Sequence, residues 1–144
     1  MKGVFLLALF LFAFKASVAN YIFIPMDEKQ SNHLKSYGIV YWILRSETEV
    51  DWLLNYRGGS FMCKFHPAIQ NELVVRGVSF EVISDTHANN IISEIASPAV
   101  NYDVMKLEKY PRIAVYSPKS NQPWDDAVTL VLTYAEIPYD VIFD

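Results

Sequence analysis

The sequence predicts an α/β protein, an open, mostly parallel Rossmann/flavodoxin-like sheet with helices on both faces. Three observations predict it. Extended apolar runs alternate with amphipathic helical stretches along the chain. The runs Tyr21–Ile24, Ile113–Tyr116 and Tyr139–Phe143 are nearly continuous in apolar residues, as strands covered on both faces are. The stretch from Arg112 to Asp144 holds a strand, a polar turn, a helix and a second strand, the size of a βαβ unit of about thirty residues.

The chain begins with Met1-Lys2, a charge-free apolar run Gly3–Phe14, and Lys15-Ala16-Ser17-Val18-Ala19. A basic start, a short apolar centre and small residues before a cut after Ala19 read as a secretory signal over residues 1–19. The run is shorter than the about 20 apolar residues a membrane-spanning helix needs. The expected product is exported, periplasmic or secreted, with no membrane span after cleavage. At 52% hydrophobic and 15% aromatic residues the composition excludes a disordered or low-complexity chain. The formal charge of −4 becomes −6 once the two positive charges of Lys2 and Lys15 leave with the signal. That balance excludes nucleic acid, which needs a basic face, as a partner. Cys63 stands alone, so no disulfide framework exists within the chain.

Residues 20–98 read as a first βαβαβα unit. Tyr21–Ile24 is its first strand, stopped by Pro25, and Ser31 or Asn32 caps a helix carrying Leu34, Tyr37, Tyr41 and Leu44 on one face. Ile39, Val40, Trp42 and Ile43 fill much of the remaining circumference, so this helix is deeply packed or covered by something. Val50–Leu54 is the second strand and Asn55–Ser60 its exit loop. Pro67 opens the next helix, Ile69 and Leu73 form its inner face, Glu72 and Arg76 pair along its surface, and Gly77 ends it. Phe80–Ile83 is the third strand. Asp85 caps a helix with Ala88, Ile91, Ile92 and Ile95 at i, i+3, i+4, i+7 spacing, ended by Ser97-Pro98.

Residues 99–111 lack a period and read as a connector, with a short strand or turn at Val104–Leu107. Residues 112–144 start a second, truncated βαβ unit. Pro123 sits at the first position of its helix, and Trp124, Ala127, Val128, Val131 and Ala135 face inward. A strand covered on both faces rarely ends a chain, so the missing C-terminal part of the same chain is an expected partner.

In open parallel sheets ligands bind outside the carboxyl ends of the strands, here the loops 26–32, 55–60, 84–87 and 117–122. In the second loop Gly58 and Gly59 allow backbone amides to crowd an anion, with Arg57 and Ser60 as added donors. The same glycines also fit a sharp turn out of a strand. The fourth loop puts Ser117, Lys119 and Ser120 ahead of a helix N-terminus, where anions are favoured, with Trp124 just beyond. These eight residues are the candidate binding site for a small-molecule ligand. Asp125 and Asp126 in the first helical turn are explained by the helix dipole. His33, His66 and His87 lie 33 and 21 residues apart, without metal-ligand spacing, so no metal site is expected. Cys63, in the loop after the second strand, reads as a buried or partly buried, inert thiol.

Three stretches carry a resemblance: Tyr21–Asp27, Trp52–Phe61 and Ile113–Ser120, the last followed by Gln122–Ala127. They resemble a group of bacterial secreted proteins labelled asparagine synthetase B, whose later part is similar to class I glutamine amidotransferase domains. The resemblance spans essentially the whole mature chain. It implies that residues 112–144 open an amidotransferase-like unit acting on amide or small-molecule substrates. It also implies that a glycine-rich nucleophile turn and its partner histidine lie beyond this sequence. No catalytic set is visible within these residues, so a non-catalytic binding or scaffolding module of the cell envelope stands as the alternative.

Overall fold

The computed structural model describes residues 19–117 and 127–143 of the chain. Seven strands and four helices follow one another among them: β1 (Ala19–Ile24), α1 (His33–Arg45), β2 (Val50–Leu54), β3 (Ser60–Lys64), α2 (Pro67–Val75), β4 (Glu81–Ser84), α3 (Asp85–Ile95), β5 (Asp103–Leu107), β6 (Ala114–Tyr116), α4 (Ala127–Ala135) and β7 (Asp140–Ile142). The first five strands form one sheet in the order β4-β1-β3-β2-β5, and every neighbouring pair in it is antiparallel. The open, mostly parallel Rossmann/flavodoxin-like sheet is therefore not what forms. Helix α1 joins β1 to β2 across β3, and α2 joins β3 to β4 across β1, which is the split βαβ arrangement of ferredoxin-like sheets. Among the described residues parallel pairing is confined to β6 and β7, aligned Val115 against Val141.

The correction has a physical cause. Ile22, Ile24, Val50, Phe61 and Cys63 face one side, where Ile39 and Ile43 of α1 and Ile69 and Leu73 of α2 cover them. Phe23, Leu53, Met62 and Ile83 face the other, against Ala88, Ile91 and Ile95 of α3. A strand sandwiched between helix layers reads as a continuous apolar run whichever way it points. Apolarity reported cover, not direction. The deciding element is β3, which lies within and beyond the stretch read as the exit loop 55–60. Residues 55–59 are the corner of a hairpin, with Trp52 aligned on Phe61, and β3 then inserts between β2 and β1, with Ile22 aligned on Cys63.

The helix signals act largely as their chemistry dictates. The Asn32 side chain accepts from Lys35 N–H at 3.0 Å and caps α1. Pro67 starts α2, His66 Nδ1 accepts from Ala68 N–H at 3.2 Å, and Gly77 ends it at φ +67°. Arg76 Nη2 reaches Glu72 at 2.7 Å. For α3 the cap is Ser84 rather than Asp85: the Ser84 hydroxyl accepts from His87 N–H at 3.3 Å. The stretch read as a connector contains β5, which pairs along β2 and extends the sheet by one strand.

Helix α1 is apolar nearly all round because two layers cover it. One side rests on the sheet through Ile39 and Ile43. The other carries α4, with Gly38 against the Ala135 carbonyl, Asn32 Nδ2 donating to Tyr134 Oη at 2.7 Å, and Lys35 paired with Glu136. The β6–α4–β7 unit is thereby docked on the back of α1. Among the described residues no helix is long and apolar enough to cross a membrane.

Candidate functional site

Antiparallel order redistributes the loops expected along one rim. The exits of β1 and β2 lie together: Met26 N–H donates to Arg57 O at 3.2 Å. The exit of β4 lies at the opposite end, where Asp85 accepts from the side chain of Asn20 at the start of β1. The rim that was to gather all four loops does not exist.

The residues Arg57, Gly58, Gly59 and Ser60 do come together, as the corner between β2 and β3. Asn55, Arg57, Gly58 and Gly59 all adopt positive φ there, between +44° and +89°. Their donors serve the fold. Arg57 Nε bonds Asp27 Oδ2 at 2.7 Å and Nη1 bonds Glu81 Oε1 at 2.9 Å, tying the β1 exit and β4 to the corner. The guanidinium lies 4.9 Å from the Phe23 ring centroid, and its Nη2 is buried without a hydrogen-bond partner among the described residues. Gly59 N–H donates to Tyr56 O, and its own carbonyl accepts from Trp52 Nε1 at 3.1 Å. The fully buried Ser60 hydroxyl lies 3.0 Å from both Tyr56 O and Arg57 O. A Cβ on Gly58 would fall 2.6 Å from the Met26 carbonyl carbon, so this position needs glycine for backbone contact as well as for φ +83°. Of the fourth loop, Ser117 is buried and its N–H donates to Ile142 O at 2.9 Å, which fastens β6 to β7. Lys119, Ser120 and Trp124 lie outside the described residues.

The Arg57 hydrogen bond holds the Asp27 carboxyl below its ordinary value. A depressed carboxyl contributes stability above its unfolded pKa, near 4, and loses it as pH falls through the lower folded value. Arg57→Met is expected to destabilise by about 1–2 kcal/mol at neutral pH, since both partners are partly solvated. The gap from wild type narrows below pH ~4. Urea unfolding at pH 7 and pH 3 checks it.

Cys63 is buried in β3, and burial pushes its thiol up to about 12, so it remains protonated and unreactive at neutral pH. His33 Nε2 contacts Met26 O at 3.1 Å, His66 caps α2, and His87 belongs to α3. Among the described residues no group of three or more His, Cys, Asp or Glu is placed to hold a metal ion.

A cleft of about 300 Å³ opens elsewhere, where α1, the segment entering β6 and the segment entering β7 meet. Tyr41 and Arg45 come from α1, Tyr110 and Arg112 precede β6, Tyr139 precedes β7 and Asp140 is its first residue. Tyr41 and Tyr110 pack edge to face at 5.5 Å, and Arg112 Nη2 reaches Asp140 Oδ2 at 3.4 Å. The cleft lies at the amino ends of the parallel strands, opposite the carboxyl ends where ligand loops are expected. Sequence reasoning missed it because three segments far apart in the chain assemble it, and none carries a motif. The nearest signal is the pairing of Tyr with Pro before each strand, Tyr110-Pro111 and Pro138-Tyr139. Comparison with family models, curated proteins and solved structures found no match to this chain.

Proposed function

We propose that this chain is the placing and assembly part of an exported, amidotransferase-like α/β protein. Its antiparallel module serves as a rigid base on which the β6–α4–β7 unit opens a second, parallel sheet. The observation that carries this reading is the exposed apolar surface of that unit, above all along β7. Tyr116 and Ile142 are paired neighbours across the two strands and about half exposed, and Val141 and Phe143 add further uncovered apolar surface. Parallel strands are stable when both faces are covered, so more β/α structure is expected to complete this sheet. The resemblance to the secreted proteins labelled asparagine synthetase B supports an amidotransferase-like completion. In that reading the reacting groups gather beyond the carboxyl ends of β6 and β7, and the described residues position them.

The alternative is a non-catalytic binding or scaffolding module of the envelope, favoured by the cleft at the entries of β6 and β7. Ammonia release from glutamine by the gene product containing this chain separates the two. Activity in the wild type that is lost in Tyr116→Lys/Ile142→Lys, with the antiparallel module still folded, is the expected result. A folded wild type releasing no ammonia would leave the scaffolding reading.

A further inference from the structure

We propose that the cleft between α1 and the entries of β6 and β7 is a binding site for a small aromatic monocarboxylate. Arg45 and Arg112 both line this cleft in a chain of formal charge −4. Arg112 is partly neutralised by Asp140 at 3.4 Å. Arg45 has no carboxylate partner among the described residues. A cation in the last turn of a helix is ordinarily explained by the free carbonyls there. In α1 the carbonyls of Trp42, Ile43 and Leu44 are already served. Ile43 O accepts from Ser46 N–H at 3.1 Å, from Thr48 N–H at 3.3 Å and from the Ser46 hydroxyl at 2.7 Å. Leu44 O accepts from Glu47 N–H and Trp42 O from Ser46 N–H, both at 3.1 Å. The Arg45 guanidinium is left over at the cleft wall, a planar fork suited to a carboxylate.

The aromatic residues set the body of the ligand. Tyr41 and Tyr110 cross at 69° with centroids 5.5 Å apart, and a third ring continues such an edge-to-face arrangement favourably. The Tyr139 hydroxyl, 3.3 Å from Thr133 Oγ1, is anchored to α4 and fixes the opposite wall. A volume of about 300 Å³ is at the small end of ligand cavities, room for one ring with a short side chain. Charge then selects among anions. With Arg112 and Asp140 compensating each other, one guanidinium remains for one negative charge. A dianion such as a phosphate would set its second charge against Asp140.

The test is titration of the full chain with phenylacetate, followed by calorimetry and by amide shifts of Ile113 and Tyr139. Saturable one-site binding is expected, weakened about ten-fold by Arg45→Gln, the scale of one charge-assisted contact. Tyr110→Ser is expected to weaken it as well, while inorganic phosphate and benzylamine leave both residues unshifted. Arg45 and Tyr110 are exposed, so both variants keep the fold, which an unchanged thermal midpoint verifies. Absence of saturable phenylacetate binding, an affinity untouched by Arg45→Gln, or equal binding of phosphate would each overturn the proposal. None of these outcomes bears on ammonia release, so this site stands or falls separately from the assembly reading.

Discussion

Gly58→Ala is expected to cost about 2–4 kcal/mol of stability, more than any other single added methyl at the β2–β3 corner. Two penalties coincide. The residue sits at φ +83°, a region that costs an L side chain about 1 kcal/mol or more. Its Cβ would also drive into Met26, with the carbonyl carbon at 2.6 Å and Asp27 N at 3.0 Å. These are backbone atoms and cannot swing aside. The two segments are moreover tied by Met26 N–H to Arg57 O at 3.2 Å and by Asp27 to Arg57 at 2.7 Å, so separating them breaks both bonds. Gly59→Ala is the internal control: it shares the positive φ, at +89°, but its nearest neighbour is Trp52 Nε1 at an ordinary 3.5 Å. Urea unfolding followed by tryptophan fluorescence should rank Gly58→Ala well below Gly59→Ala. Equal losses would show that the close approach to Met26 is absent.

Gly38→Val is expected to release the β6–α4–β7 unit from α1, at a cost of about 2 kcal/mol in docking. Replacing glycine inside a helix by a residue with a side chain ordinarily favours the helix, by up to about 1 kcal/mol for alanine, so a destabilised product identifies a contact. Gly38 is buried, and a Cβ there would overlap the Ala135 carbonyl group, which is backbone of α4. The bonds of Asn32 to Tyr134 and of Arg76 and Lys35 to Glu136 hold the same end of α4 and would be strained together. Hydrogen exchange should show protection lost across Thr129–Ile142 and kept in Ile22–Ile24 and Phe61–Cys63. Unchanged protection in α4 would contradict the docking.

Much of the local structure was legible because its causes are local. Asn32 acts through its side chain and Pro67 and Gly77 through their own backbones, so α1 begins, and α2 begins and ends, near where those residues require. Strand direction is not local. Phe61-Met62-Cys63 is short, follows a loop rich in turn residues, and is easily absorbed into that loop. Yet β2 and β3 are separated by the five residues 55–59, which contain Gly58-Gly59, and that spacing also satisfies the hairpin pattern. Once β3 is passed over, β1 and β2 look like neighbours and a parallel sheet follows. The same ambiguity governs the site. Glycines that bring backbone close to an anion and glycines that bring it close to Met26 leave one signature in the sequence. Only the position of the β1 exit distinguishes them. The cleft residues Tyr41, Arg45, Tyr110, Arg112, Tyr139 and Asp140 become neighbours only when α4 docks on α1 and β7 on β6.

The placement of β3 decides the rest, and proton–proton Overhauser contacts along the backbone read it directly. Cross-strand contacts of antiparallel type are expected from Met62 to Phe23 and from Phe61 to Trp52, putting β3 between β1 and β2. Direct contacts of parallel type between Tyr21–Ile24 and Val50–Leu54, with Phe61–Cys63 paired to neither, would contradict it.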